Sequence, residues 1–343
     1  MLYASPTLDR AELDVIARIE EIRGQIRFVV ADAGDTTRGL LPLYLPGESN
    51  DPAFAGYRAA LGYVLHLHDD PHFAYDATLL RSLHYMSLAH EPDKSPGRWR
   101  SAEIRVRGAG IWEVLYEPPP PEAVPHLVRE LMDHLNDKDD RPAFVRAAVA
   151  HLNLVQIHPF ADGNGRLGRA LHTLVLVRHG ILDPEFASIE QSVARDRDGF
   201  REALYELGTR WNPAADTRPF VRYCLAVHLQ QGEAALDSAQ RMSAVWAEAA
   251  REIQRRGLPE RLTAALADAA FAGRVDAAGY RRWAGVDERR ARADLKRLAE
   301  HGALKRARGT PGVSYLAGRI ARDIRARAWR AHPARAPYDP FRA

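Results

Sequence analysis

Apolar residues recur every three to five positions through residues 8 to 28, LDRAELDVIARIEEIRGQIRF, with Leu8, Leu13, Ile16, Ile19, Ile22 and Ile26 separated by charges. That spacing predicts an amphipathic helix. A stretch from Gly34 to Pro52 loses the period and carries glycines and prolines, so a loop is expected. Helical spacing returns between 54 and 90, first through Tyr57, Leu61, Val64 and Leu65, then through Leu79, Leu80, Leu83 and Met86. At 103 to 116 the period becomes two: Ile104 and Val106 alternate with Glu103, Arg105 and Arg107, and Trp112, Val114 and Tyr116 alternate after Gly108-Ala109-Gly110. This is the pattern of a hairpin. The prolines from Pro118 to Pro121 should form an extended strut, and Val124, Leu127, Val128, Leu131, Met132 and Leu135 follow one face of a further helix.

Two segments are apolar nearly all round, 143 to 157 (AFVRAAVAHLNLVQI) and 170 to 177 (ALHTLVLV), and a helix of that kind is buried at a domain centre. Between them lies a polar dodecamer, HPFADGNGRLGR, at 158 to 169. More helix is expected at 189 to 206 and 219 to 255, with breaks at Pro213 and Pro219. Residues 258 to 318 read as three helices and a hairpin with a GTPG turn. The expected fold class is mainly α.

Composition changes this picture little, but charge divides it. Of 343 residues 46% are apolar and 27% charged, which suits a globular chain of two or three domains. From Arg274 onward there are 18 Lys and Arg against 7 Asp and Glu; before it the counts are 30 and 38. A basic tail on an acidic body suggests a nucleic-acid or acidic-partner surface added to something else. The single cysteine, Cys224, lies in the apolar run VRYCLAV and reads as a small buried hydrophobe, so no thiolate metal site is expected. The acidic residues near the start and the lack of an apolar run near the ~20 residues that span a bilayer point to a cytoplasmic protein without a membrane partner.

The dodecamer holds the candidate chemistry. Asp162-Gly163-Asn164-Gly165 tolerates positive φ and close approach just where a buried helix begins, and free N–H groups there make an anion site. Arg166 and Arg169 stand one turn apart and can reach one polyphosphate. Asp162 suits a magnesium ion, which takes one or two carboxylates together with phosphate oxygens. His158, with an ordinary pKa near operating pH, can accept a proton from an attacking hydroxyl. Singly, each has a plainer reading: a capping histidine, an N-cap, a tight turn, a solvated face.

In that order the residues resemble the signature of the Fic domain family, His-x-Phe-x-Asp/Glu-Gly-Asn-Gly-Arg-x-x-Arg, and His158, Phe160, Asp162, Gly163, Asn164, Gly165, Arg166 and Arg169 fill every fixed position. The resemblance extends over roughly 55 to 232 and takes in PGRWR, the PPPP run and the hairpin at 103 to 116, which is similar to the flap that aligns a target segment, with Ile104 and Val106 on it. It implies a Fic helical core with a β-hairpin flap, and protein adenylyltransferase activity: AMP passes from ATP, with Mg2+, to a Ser, Thr or Tyr hydroxyl of a target protein. It also implies the roles: His158 as general base, Asp162 on the metal, Gly163, Asn164, Gly165 and Arg166 on the phosphates, and Arg169 on the γ-phosphate. Gly165 favours AMP over phosphate transfer, since relatives that phosphorylate carry lysine there.

Many relatives also carry an inhibitory helix with Ser/Thr-x-x-x-Glu-Gly/Asn. The nearest match is IARIEEI with Glu20, but Ile16 and Glu21 depart from the pattern, as do Gln156 and Phe200 elsewhere. The basic segment at 258 to 318 resembles a winged helix-turn-helix, in which a helix with Arg289, Arg290, Arg292, Lys296 and Arg297 would face a DNA groove and a wing with Lys305, Arg306 and Arg308 its phosphates, while winged helices also serve as protein-interaction modules with a solvated basic face. The domain plan is then 1–52 (N-terminal helix, loop and candidate inhibitory segment), 53–232 (Fic domain), 233–257 (linking helix), 258–318 (winged helix) and 319–343 (short basic helix and flexible tail). Other readings stay open: a DNA-binding regulator whose Fic domain senses nucleotide, or an enzyme that uses another nucleotide or removes AMP. The sequence names no target; a homo-oligomer is compatible with it.

Overall fold

The computed structural model of the chain describes residues 1–26, 50–107, 114–307, 314–336 and 338–341. The loop expected from Gly34 to Pro52 is outside these but for its last residues, as are the hairpin tip with Trp112, the GTPG turn and Arg308. The chain divides into two compact units, Met1–Gly232 with Tyr338–Ala343, and Glu233–Pro337.

In the first unit the elements are α1 (Arg10–Ile26), α2 (Pro52–His66), α3 (Ala77–Leu88), a two-stranded antiparallel hairpin of β1 (Val106–Arg107) and β2 (Val114–Tyr116), α4 (Val124–Asn136), α5 (Ala143–Ile157), α6 (Asn164–Arg178), then the short helices α7 (Pro184–Ala187), α8 (Glu190–Arg195) and α9 (Arg197–Tyr205). α5 and α6, the two segments apolar on every face, pack on each other at the centre, with α2 against α6 and α4 against α5. Full burial of side chains such as Phe144, Leu152, Leu171 and Leu174 is worth about 1.5–3 kcal/mol each, which makes this pair the anchor of the unit. α4 buries the six residues its period picks out.

α1 departs from expectation in detail. Leu13 is half exposed, and the buried seam runs Glu12, Val15, Ile16, Ile19, Ile22, Arg23. The shift follows from Glu12, whose carboxylate must face inward to meet Arg218 at 2.9 Å and Arg222 at 2.7 Å. A buried carboxylate demands partners, and its place on the helix fixes the rotation. The hairpin is also shorter than its alternation suggests: pairing starts at Val106↔Tyr116, and Ile104 precedes the strand.

α10 is one helix of 38 residues, Arg218–Arg255. Pro219 sits in its first turn, where the missing N–H costs nothing. Val245, Ala249 and Ile253 from its C-terminal half belong to the core of the second unit. That unit continues with α11 (Leu262–Ala272), β3 (Arg274–Asp276), α12 (Ala277–Ala284), α13 (Glu288–Glu300), β4 (Leu304–Arg306), β5 (Ser314–Ala317) and α14 (Arg319–Ala331). The sheet order is β3–β5–β4, all antiparallel.

Two features were not anticipated. β3, three residues long, escapes a period test, and the short basic helix expected after 318, here α14, buries Ala321, Ile324 and Ala328 in the core of the unit. The described residues near the C-terminus make specific contacts. Arg335 pairs with the buried Glu233 at 3.0 Å, the Tyr338 carbonyl accepts from Gln230 Nε2 at 2.6 Å, and Phe341 lies under the Arg222 guanidinium at 5.0 Å.

Candidate nucleotide site

The dodecamer begins where α5 stops. His158 is the C-cap residue of α5 with φ +51°, a left-handed conformation, and its N–H closes onto the Leu154 carbonyl at 3.1 Å. Its Nδ1 lies 3.0 Å from the Val155 carbonyl. A carbonyl can only accept, so Nδ1 carries the proton and Nε2 keeps its lone pair. Burial lowers the pKa of His158 to about 4, with the Arg100 charge adding to the effect and the Val155 bond and Asp162 opposing it. The imidazole is therefore neutral at pH 7 and ready to accept a proton, although it is a weaker base than its ordinary pKa suggests.

Arg100 braces the entry to the turn. Its Nε donates to the His158 carbonyl at 2.8 Å, its backbone N–H to the Pro159 carbonyl at 3.0 Å, and its Nη2 to the Pro119 carbonyl at 2.5 Å. Phe160 is fully buried between Trp99, at 4.8 Å, and His84, stacked at 3.7 Å.

Asn164 does more than the phosphate contact assigned to it. Its buried side chain folds back on Phe160, Oδ1 accepting that residue's N–H at 3.0 Å and Nδ2 donating to its carbonyl at 2.8 Å. The side chain closes the loop, and the backbone amide stays unpaired among the described residues.

α6 is entered from Gly163, φ +78°, with no side chain capping it. A Cβ there would stand 2.4 Å from Leu88 Cδ1 and 3.3 Å from His84 Nε2, so glycine is required by both conformation and space. The first helical bond runs from Leu167 N–H to the Gly163 carbonyl. The amides of Asn164, Gly165 and Arg166 precede it and have no acceptor among the described residues. At a helix N-terminus they make an anion nest.

The charged side chains are not equivalent. Asp162 is half exposed, with Oδ1 accepting the Gly163 N–H at 2.6 Å and Oδ2 3.4 Å from Lys94 Nζ. Arg166 makes no ion pair with a described residue, whereas Arg169 gives Nε to Glu190 at 2.8 Å, with both side chains largely buried. The other oxygen of Glu190 takes the Tyr57 hydroxyl. Arg169 Nη1 lies 3.6 Å from where a Gly165 Cβ would stand, so its terminus faces the nest. Burial and the Glu190 carboxylate push the Tyr57 hydroxyl well above its ordinary pKa. The carboxylate that Arg169 meets in this structure is Glu190, not the candidate inhibitory Glu20. Glu20 is exposed and bound to Arg23 at 2.5 Å. No periodic signal links positions 169 and 190, which is why Glu190 was missed.

Among the described residues no cluster of three or more His, Cys, Asp or Glu side chains could hold a metal. A magnesium ion that takes one protein carboxylate and phosphate oxygens does not need one. The half-exposed Asp162 beside the nest fits that demand. No helix of the described residues is long and apolar enough to cross a membrane.

A second group of histidines lies deeper. His151 of α5, His172 of α6 and His228 of α10 are fully buried; His172 and His228 meet Nε2 to Nε2 at 2.9 Å, and His151 meets the His172 ring edge-on at 5.8 Å. Burial drives the pKa of His172 down to about 3 and holds the other two well below the ordinary range. His151 packs under Gly168, where a Cβ would approach it to 2.5 Å, so the group supports the helix that carries Arg166 and Arg169. Histidines inside all-round apolar segments were the signal available in the sequence.

The Fic/DOC family model matches residues 74–176. The protein adenylyltransferase of Caenorhabditis elegans is 34% identical over 121 residues, 35% of this chain and 22% of that protein. The protein adenylyltransferase Fic of Nematostella vectensis is 33% identical over 145 residues, 41% of this chain and 29% of that one. The chain thus spans less than a third of the length of these relatives. Among solved structures, a Fic family protein from Desulfovibrio desulfuricans G20 superposes with a TM-score of 0.55 over 92% of this chain and 98% of that one at 20% identity, a likeness of fold.

Proposed function

We propose that this chain, whose residues 74–176 match the Fic/DOC family model, transfers AMP from ATP to a Ser, Thr or Tyr hydroxyl of a target protein. The observation that carries the reading is the pairing of a neutral His158, its free Nε2 fixed by the Val155 bond, with an uncapped helix N-terminus a few residues on. The hydroxyl oxygen attacks the α-phosphorus while its proton passes to His158 Nε2; an O–P bond forms, and the bond to the departing pyrophosphate breaks. The nest amides, Arg166 and Arg169 hold the phosphates where charge shifts toward pyrophosphate, so the work is positioning and charge stabilisation. Asp162 would hold Mg2+, which neutralises phosphate charge when bound. The names of the relatives support ATP as the substrate class and a protein as the acceptor.

The test is incubation of wild type and His158→Ala with labelled ATP and magnesium, with label followed into protein by gel and intact mass. Wild type should add the mass of AMP, and the variant should be slower by about 10²–10⁴-fold. Equal labelling, or label at the mass of phosphate, would overturn the assignment.

A second reading concerns the other unit and is supported by its order of elements. A helix, strand, helix, helix and two strands with the β3–β5–β4 sheet suit a winged helix-turn-helix. Arg289, Arg290 and Arg297 on α13 are exposed, as are Lys305 and Arg306 on β4. Arg292 and Lys296 are exposed too, and each is paired one turn away with Glu288 or Glu300. Duplex DNA is the proposed partner of this face. Affinity should fall steeply with added salt, and an Arg289→Ala, Arg290→Ala double variant should flatten that slope; no binding at low salt sinks the reading.

A further inference from the structure

His84 stands midway along α3, buried at 1% exposure, and no role in the transfer has been given to it. Its ring touches the signature turn on three sides. The Gly97 N–H donates to Nδ1 at 2.8 Å. An amide can only donate, so Nδ1 is bare and the proton of the neutral ring is on Nε2. Nε2 lies 3.0 Å from the Asp162 carbonyl, which can only accept, so that contact is a donated bond. The ring plane lies 6° from that of Phe160, and the ring also fills the space that the missing Gly163 side chain leaves.

The Asp162 carbonyl belongs to the same planar peptide as the Gly163 N–H, and in a trans peptide the two point in opposite directions. Drawing the carbonyl back toward α3 therefore turns the Gly163 amide outward, to the Asp162 carboxylate it bonds at 2.6 Å. One imidazole thus sets the edge of the anion nest and the side chain beside it.

We propose that His84 is a positioning residue for nucleotide binding, which acts by holding the Asp162–Gly163 peptide in this orientation and takes no part in proton transfer. The proposal rests on the nucleotidyl-transfer reading of the same site. Side chains that keep one half of the imidazole each separate the bond to Asp162 from mere filling of space. Gln reaches as far as Nε2 and can donate to the Asp162 carbonyl; Asn offers an oxygen at the place of Nδ1 and keeps only the Gly97 bond.

The experiment is calorimetric titration of ATP with magnesium into wild type, His84→Gln and His84→Asn of the full chain. It is accompanied by thermal melts and by kcat and KM for AMP transfer. His84→Asn should weaken ATP binding about tenfold, the scale of one hydrogen bond of about 1.4 kcal/mol, with kcat changed far less. His84→Gln should restore affinity close to wild type, at a melting temperature matched to that of the Asn variant. Equal affinities of the two variants, or a loss confined to kcat, would overturn the proposal. Wild type that binds ATP but labels no protein would sink the transfer reading and leave the Gln–Asn difference standing; wild type that binds no ATP would sink both.

Discussion

Helices α6 and α13 both follow a tight turn and both carry arginines in their first turns, yet they begin in opposite ways. α13 is sealed: the Asp287 carboxylate accepts the Arg290 N–H at 2.7 Å, as an N-cap should. α6 is left open, because Gly163 has no side chain, the Asn164 side-chain amide is turned back on Phe160, and the Asp162 carboxylate takes the Gly163 N–H and pairs with Lys94 without reaching the helix amides. The arginines differ in the same sense. Arg292 pairs with Glu288 in solvent, a contact worth little, while Arg169 is held by a buried glutamate with its terminus toward the open amides. A cap consumes the capacity of a helix start to bind an anion. A buried helix that forgoes one, with its neighbouring polar side chains turned elsewhere, keeps that capacity for a ligand.

The largest effect expected along this contrast is acid lability confined to the unit of α6. His151, His172 and His228 are neutral and buried beneath it, whereas both histidines of the second unit, His301 and His332, lie outside its core. Their folded pKa values are lowered, to about 3 for His172, against about 6.5 unfolded. The unfolded chain therefore binds more protons below about pH 6.5. The stability these groups leave intact above that pH is lost as pH falls toward the folded values, at about 1.4 kcal/mol per pH unit for each group. Thermal melts from pH 8 to 5 should show the first unit falling first, and His228→Phe should flatten its slope. A slope unchanged in that variant would remove the histidines as the cause.

Next in size is Gly163→Ala. It places a Cβ at positive φ and 2.4 Å from Leu88, and should cost about 2–4 kcal/mol of stability along with most ATP affinity. Unchanged ATP binding would show that the open helix start is not the anion site. Smallest is Asp287→Ala, the converse change, which removes a cap. It should lower the stability of the second unit by about 1 kcal/mol and leave ATP binding and AMP transfer as they were.

Much of this was legible in the sequence where residues act through spacing along one element. The buried face of α4, the central pair α5 and α6 and the turn between them follow from period and composition, because a repeat of 3.6 or an all-apolar segment has one way to be buried. What escaped depends on contacts between distant positions. Leu13 lost its place to Glu12 because Arg218 and Arg222 lie some two hundred residues away. Glu190 reaches Arg169 through the fold alone, and the sequence does not show that the Asn164 side chain folds back on Phe160. The histidine trio was hidden for a related reason. Each member is a single polar residue in an apolar run, and only the packing of three helices brings them together.

His158 sits in a backbone conformation that, where it closes a helix, usually falls to glycine, and it is one of two non-glycine residues with positive φ among those described. The imidazole proposed as general base is thus held in a backbone conformation that costs the fold stability. In a library of this chain screened for thermal endurance alone, His158→Gly should rise early, gaining up to about 1 kcal/mol as the constrained cap relaxes. On the proposed transfer reading, the survivors of such a screen would be sturdier and slow. Any effort to harden this protein must therefore score turnover alongside folding.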